Sequence, residues 1–377
     1  MRKLLFISLA VVLALSVGLI GCEGEGETPD VWDSEITLTL HPTISGFASI
    51  CELVIFPWVD EVHALPDGPD GGNFTIEIVT PGDSPYDAAS SLSAISIGTT
   101  DIGMLSPETF HLGGSGYLPF EFDSIEQTAY VMYELWTESD GVWDAEGQLD
   151  GVKILFTMPL WGSQLWTTLA GGNVTEAADM DGLLIRSDAQ AVESDTLQAL
   201  GAVPTFLGVS ELAGSLQNNT INGCFFTYSG IGGAADLGPV TNYTTELNMI
   251  YRPYSLAMNL DAYNDLPTDA KAALDSVTGL DASVAWATAH IAGQEADRDD
   301  TIDGPCAYGG PPFPCNDRNT EWGRPIYVPD LSSFIAATAD VAQNWADWLT
   351  DPEEGPVMDG DGILARIDAL KTAFDAL

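Results

Sequence analysis

Short stretches with apolar residues at every second position alternate along this chain with longer stretches whose apolar residues fall three and four apart. Ile36–Leu40 alternates apolar with β-branched polar residues and Phe74–Val79 repeats the pattern, so both read as strands. Between them Ile50–Val62 has helical spacing, with Pro57 expected to kink it. Ser84-Pro85 opens the next helix, because serine can cap and proline suits the first helical position; Asp87 gives a pattern close to a capping box, and Gly98 stops the run. Asp101–Leu105 reads as a short strand. Asp123 and Glu126 make a second cap-like pair, ahead of a helix on Ile125, Ala129, Met132 and Trp136.

Strands are expected again at Lys153–Thr157, Leu183–Arg186, Val203–Leu207 and Ile221–Tyr228, with helices at Ala189–Leu200 and Ser210–Asn218. Alternation of this kind predicts an α/β class with mostly parallel sheets. The C-terminal part is helical. Asp330 caps one helix through Leu331, Phe334, Ile335, Val341, Trp345 and Leu349, in which Thr338 is tolerated, and Gly360–Leu377 forms the last. At that spacing Trp345 and Trp348 read as core. A chain of 377 residues is too long for one ordinary core, so two lobes are expected.

The N-terminus departs from this pattern. Arg2 and Lys3 precede an uncharged, largely apolar run from Leu4 to Ile20, which ends in Leu19-Ile20-Gly21-Cys22. These features describe a secretory signal peptide over residues 1–21. The run falls slightly short of the roughly 20 residues that a spanning helix needs. The Leu-x-Gly-Cys ending resembles a bacterial lipobox, which implies a lipid on Cys22 and a protein anchored outside the cell. Residues 22–34 are then a flexible, charged tether.

Charge narrows the partners. Acidic residues number 56 against 11 Lys plus Arg, a formal net charge of −45. Such a chain repels phosphates, which excludes nucleic acid and argues against an anionic membrane surface. The acids are spread along the chain, as on a solvated surface suited to salty surroundings. Besides Cys22 there remain Cys51, Cys224, Cys306 and Cys315, which allow three pairings. Cys306 and Cys315 flank Ala-Tyr-Gly-Gly-Pro-Pro-Phe-Pro, a segment that turns readily, so a disulfide of about 2–3 kcal/mol is expected there. Cys51–Cys224 would follow by elimination, and the sequence leaves that bond open. With no Cys-x-x-Cys and scattered histidines, no zinc site is expected, and the sequence leaves open a metal ion that assists the solute. With no nucleophile elbow, phosphate loop or His-Glu-x-x-His, neither catalysis nor a cofactor is expected.

Asp181-Gly-Leu-Leu-Ile-Arg186 sets an arginine at the end of a short strand, just before a helix. Open α/β sheets bind ligands at the carboxyl ends of their strands. Cations are scarce: of the 11, Arg2 and Lys3 belong to the leader. A guanidinium fork matches a carboxylate with two parallel hydrogen bonds, and a closing cleft strengthens that contact by lowering the dielectric. A structural ion pair with one of the many acids is the competing reading of Arg186.

Several segments resemble, in order, the solute-binding proteins of tripartite ATP-independent periplasmic (TRAP) transporters of the DctP type. They are Gly98-Thr-Thr-Asp-Ile-Gly103, Leu118-Pro-Phe120, Asp179-Met-Asp-Gly-Leu-Leu-Ile-Arg186, Leu200-Gly-Ala-Val-Pro204, Ser210–Gly223 and Met258–Pro267. The resemblance implies a two-lobed, type II periplasmic-binding-protein-like α/β fold that shuts on a small solute, usually a carboxylate, and delivers it to membrane permease subunits. Lobe I would hold residues 35–155, completed by roughly 240–285; lobe II would hold 156–240, completed by roughly 320–350, with 351–377 a C-terminal helix and the late helices packing across both lobes. It implies that Arg186 clamps the carboxylate.

Departures from the family pattern are informative. Phe226 stands where a ligand-binding asparagine is implied, Asn222 replaces the aspartate before Gly223, and Ala213 replaces an aromatic residue. No second cleft arginine occurs between Leu155 and Thr175, where Trp161, Gln164 and Trp166 are found. Aromatic walls with one anion anchor suit an aromatic or aliphatic monocarboxylate. Trp161, Trp166, Phe226, Gln164 and His41 are therefore candidate solute contacts beside Arg186. A solute-binding lipoprotein of an ABC transporter or sensor, an extracytoplasmic hydrolase and a surface adhesion protein are the alternatives.

Overall fold

The computed structural model of the chain describes residues 32–42, 50–68, 71–79, 86, 88–138, 149–160, 162–187, 191–228, 237–303 and 326–377. The leader, Cys22, the first part of the tether, the Ser84-Pro85 cap, Trp161, Cys306 and Cys315 lie outside the described residues.

Two sheets form. The first contains β1 (Ile36–His41), β2 (Phe74–Ile78), β3 (Ile102–Leu105), β4 (Val152–Pro159) and β10 (Pro253–Asn259), in the order β2-β1-β3-β10-β4. The second contains β5 (Gln164–Thr167), β6 (Leu184–Ser187), β7 (Val203–Phe206), β8 (Gly223–Phe226), β9 (Tyr243–Thr245) and β11 (Ile326–Tyr327), in the order β11-β9-β5-β8-β6-β7. Strand pairs are parallel except around β10 and β5, each of which runs against both neighbours. The chain leaves β4 for β5 and returns from β9 to β10. Each reversed strand is thus the first that the chain lays down after crossing between lobes.

Among the described residues the helices are α1 (Phe56–His63), α2 (Ala88–Ser96), α3 (Ile125–Thr137), α4 (Ala191–Ala199), α5 (Val209–Gln217), α6 (Leu260–Asn264), α7 (Thr268–Asp275), α8 (Gly279–Asp303), α9 (Ser332–Ala337), α10 (Val341–Thr350) and α11 (Gly360–Asp375). Gly98 closes α2 at φ +72°, a left-handed conformation open to glycine at little cost.

Three expectations shift locally. Pro57 breaks nothing, because a π-helical turn over Cys51–Ile55 hands over to α1 there and leaves the proline in its first turn. The cap of α3 is Ser124, not Asp123. Its hydroxyl accepts from the Gln127 N–H at 3.1 Å, while the Gln127 side-chain oxygen accepts from the Asp123 N–H at 2.9 Å. The single helix drawn through Thr338 is two, α9 and α10. The Thr338 hydroxyl donates to the Phe334 carbonyl at 3.0 Å and the backbone turns there.

Cores lie on both faces of each sheet. Tyr254, Leu256 and Met258 of β10 join Leu38, Leu40, Trp58 and Phe156 on one side of the first sheet. A second core holds Ile154 and Ala257 with α3, then continues through Leu165, Ile185 and Phe225 into the second lobe. A third, beyond the second sheet, holds Trp166, Cys224, Phe226, Tyr228 and Leu212. Cys51 and Cys224 belong to different cores and form no disulfide with each other. The last helices strap both lobes together: α10 packs on α4 and α11 on α3, where Arg366 pairs with Glu138 and Lys371 with Glu121.

Candidate functional site between the two sheets

The two crossings run side by side. The Leu160 N–H donates to the Arg252 carbonyl at 2.8 Å and the Ser163 N–H to the Ile250 carbonyl at 2.9 Å. Gly162 permits the approach, since a Cβ there would fall 2.5 Å from the Asn248 Cα. The strand directions agree with this geometry. β1, β3 and β4 end, and β10 begins, at the edge of the first sheet that meets the crossings; β8 ends and β5 begins at the matching edge of the second. The carboxyl ends of the parallel strands in both sheets therefore point toward the same region, which is where such sheets bind ligands.

On the second sheet that edge carries Arg186. The residue is 5% exposed, lies opposite Cys224 on β8, and donates from Nε to the Leu207 carbonyl at 3.1 Å, a bond that fixes the plane of its guanidinium. Ser187 comes next, and its hydroxyl bonds to that of Ser194 on α4 at 2.7 Å, pinning the first turn of the helix to the strand end. Next to Ser194, Glu193 is fully buried and forms an ion pair with Arg252, which stands on the returning crossing just before β10. The Arg252 guanidinium also lies 5.7 Å from the centre of the Tyr117 ring. Burial pushes the Cys224 thiol up to about 12, with Arg186 and Arg252 pulling it down and Glu193 pushing it further up. The thiol stays protonated at neutral pH, and all three charges share its surroundings.

On the first sheet the strand ends carry a histidine and a serine. His41 ends β1, buried, with its ring edge-on to Tyr86 at 5.2 Å. Burial lowers its pKa, and Asp101 opposes that shift. Ser106, just past β3, is fully buried, and its hydroxyl has no hydrogen-bond partner among the described residues.

The other sequence-derived candidates divide. Phe226 ends β8 beside this region, although it also belongs to the third core. Trp166 is completely buried there, donating to the Phe226 carbonyl at 3.1 Å. Gln164 is tied into the backbone of the crossings. Its NH2 donates to Gly162 and Asn248 at 2.7 and 2.6 Å, and its oxygen accepts from the Leu247 and Asn248 N–H groups at 2.8 and 3.2 Å. Those four bonds use the whole capacity of the amide and tie the crossings together. Reading by motif missed Arg252 and Glu193. Glu193 lies on a helix of otherwise ordinary composition, and Arg252 stands in a run without periodicity. The scarcity of arginine was the one available signal. A cavity of about 520 Å³ bounded by Glu61, Asp275, Asp281 and Trp286 lies elsewhere, and none of the strand-end residues lines it.

Known proteins place this arrangement. Residues 70–300 match the family model described as bacterial extracellular solute-binding protein, family 7 (DctP). A TRAP solute-binding protein from Rhodoferax ferrireducens T118, crystallised with copurified benzoate, superposes with a TM-score of 0.72 at 19% identity, covering 90% of this chain and 99% of that one. A marine metagenome TRAP solute-binding protein from an unidentified microbe, specific for aromatic acid ligands and bound to 3-hydroxybenzoate, gives 0.70 at 22% identity, covering 91% and 99%. One from Bordetella bronchiseptica with bound (R)- and (S)-mandelate gives 0.69 at 19%, covering 90% and 99%. At these identities the structural likeness speaks for the fold, here the two-lobed α/β form. The family model spans more than half of the chain, and so the chain belongs to the bacterial extracellular solute-binding proteins of family 7, the DctP-type binding subunits of TRAP transporters, and is a binding protein rather than an enzyme.

Proposed function

We propose that the protein captures a small aromatic or aliphatic monocarboxylate between its two sheets, with Arg186 as the anion anchor, and delivers it to TRAP membrane permease subunits. A lipid on Cys22 would hold it at the outer face of the membrane. Supporting this reading most directly is the position of Arg186: a buried guanidinium, oriented through Nε by a carbonyl, at the carboxyl end of a parallel strand next to the interlobe crossings. A guanidinium held in this orientation matches a carboxylate with two parallel hydrogen bonds. Benzoate, 3-hydroxybenzoate and mandelate in the similar structures support an aromatic acid. Phe226 and His41 at the strand ends would contribute apolar and neutral polar wall, and Trp161 is a further candidate. The net charge of −45 repels an anion at long range, but physiological salt confines that field to about 8 Å.

A thermal-shift screen of aromatic acids, aliphatic acids and amino acids tests the reading. Aromatic monocarboxylates should raise the melting temperature, since a ligand at a hundred times its Kd adds about 2.7 kcal/mol of stability. If only uncharged solutes did so, the carboxylate assignment would fail.

A further inference from the structure

A second buried cation stands next to the proposed anchor, already matched by an acid. Arg252 arrives on the crossing segment of the first lobe and Glu193 on α4 of the second, and their side chains are 6% and 0% exposed. Two links place them beside Arg186. The Ser187–Ser194 hydroxyl bond, 2.7 Å long, joins the residue after Arg186 to the residue after Glu193. Cys224 is the strand partner of Arg186, and its thiol lies within the field of all three charges. A buried ion pair is a poor source of stability, because desolvation offsets most of the attraction and a well-packed apolar pair often does as well. What this pair does achieve is to keep the charge of Arg252 occupied.

We propose that Glu193 sets the selectivity of the site for one carboxylate over two, by holding Arg252 in an ion pair and withdrawing it from the solute. A monocarboxylate needs only the Arg186 anchor. A dicarboxylate would bring its second negative group toward Glu193, with no cation left to receive it, and like charges in a dry site repel strongly. Without Glu193, Arg252 becomes a second anchor. The inference rests on the proposal that the solute is a carboxylate held by Arg186, and it assigns the specificity of that same site to two residues that touch each other.

Calorimetric titration of benzoate and of the three benzenedicarboxylates into the full chain and into Glu193→Gln tests it. The wild type should favour benzoate. In the variant, the ratio of affinities should move at least tenfold toward the best dicarboxylate, and Glu193→Gln/Arg252→Gln should restore the original preference. An unchanged ratio in Glu193→Gln, or a wild type that favours the dicarboxylate, overturns the inference while leaving the carboxylate reading in place. Binding of none of the four acids to the wild type overturns the inference, and the carboxylate reading falls with it if the aliphatic acids of the thermal-shift screen fail too. Should Glu193→Gln not fold, Glu193→Asp, which draws the charge back by one methylene, must show a smaller change in the same direction; no change there is equally fatal.

Discussion

At its strand ends the first sheet offers His41, held below its usual pKa by burial, and the Ser106 hydroxyl, whereas the second offers Arg186 with the Arg252–Glu193 pair beside it. Both edges come from the same topology, in which parallel strands end where two hydrogen-bonded segments cross. Their chemistry differs because the segments that leave the strands differ. After β6 the chain turns into α4, whose first turn is pinned to the strand and brings an acid to the returning crossing. After β3 the chain brings in Glu108, two residues past Ser106, which accepts from the Tyr117 hydroxyl at 3.3 Å. On the proposed reading, attraction for an anion belongs to the second lobe, where Arg186 stands. Closure around a ligand that bridges both lobes is a hinge motion. Here the Gln164 staple would keep the two hinge strands moving as one.

The contrast can be broken from either side. The largest effect is expected at the charged edge. Arg252→Ala strands the Glu193 carboxylate in a dry site and should cost about 3–5 kcal/mol in urea unfolding, whereas replacing both residues with apolar ones of similar volume should be close to neutral. A loss of under about 1 kcal/mol for Arg252→Ala would mean that the pair is solvated and that the edge is less dry than its burial indicates. The first sheet gives the next largest effect. His290 of α8 donates to the Pro159 carbonyl where β4 ends, and burial lowers its pKa to about 4 from an ordinary 6.5. Between those values the unfolded chain takes up a proton that the folded chain refuses, so stability falls as the pH drops from about 6.5 through about 4. At about 1.4 kcal/mol per pKa unit the full span comes to about 3–4 kcal/mol. His290→Gln should flatten that part of the pH–stability curve; a variant as acid-sensitive as the wild type would show that other groups set it.

The physics of each element decides how far the sequence alone reveals it. Half-buried strands such as β1 and β2 and well-capped helices announce themselves through periodicity. β10 does not, because it is buried on both faces: Pro253–Asn259 has no alternation to read, and β5 is only four residues long. The motif and the scarcity of cations single out Arg186 as a candidate, and its place at a strand end is a matter of coordinates. The sequence places Gln164 and Trp166 in the region, but their hydrogen bonds to Asn248 and Phe226 span 84 and 60 residues and escape a local reading. Arg252 and Glu193 lie 59 residues apart and escape any local reading. Their meaning arises only when the crossing segment passes over α4.

The central claim is that a carboxylate is bound through Arg186. Isothermal titration of benzoate into the wild type and into Arg186→Ala, with the melting temperature of each recorded, tests it most directly. The account predicts an affinity loss of at least about tenfold, roughly 1.4 kcal/mol, in a variant that still unfolds cooperatively, as removal of a charge-assisted contact requires. Equal affinity for benzoate in the two proteins would contradict it.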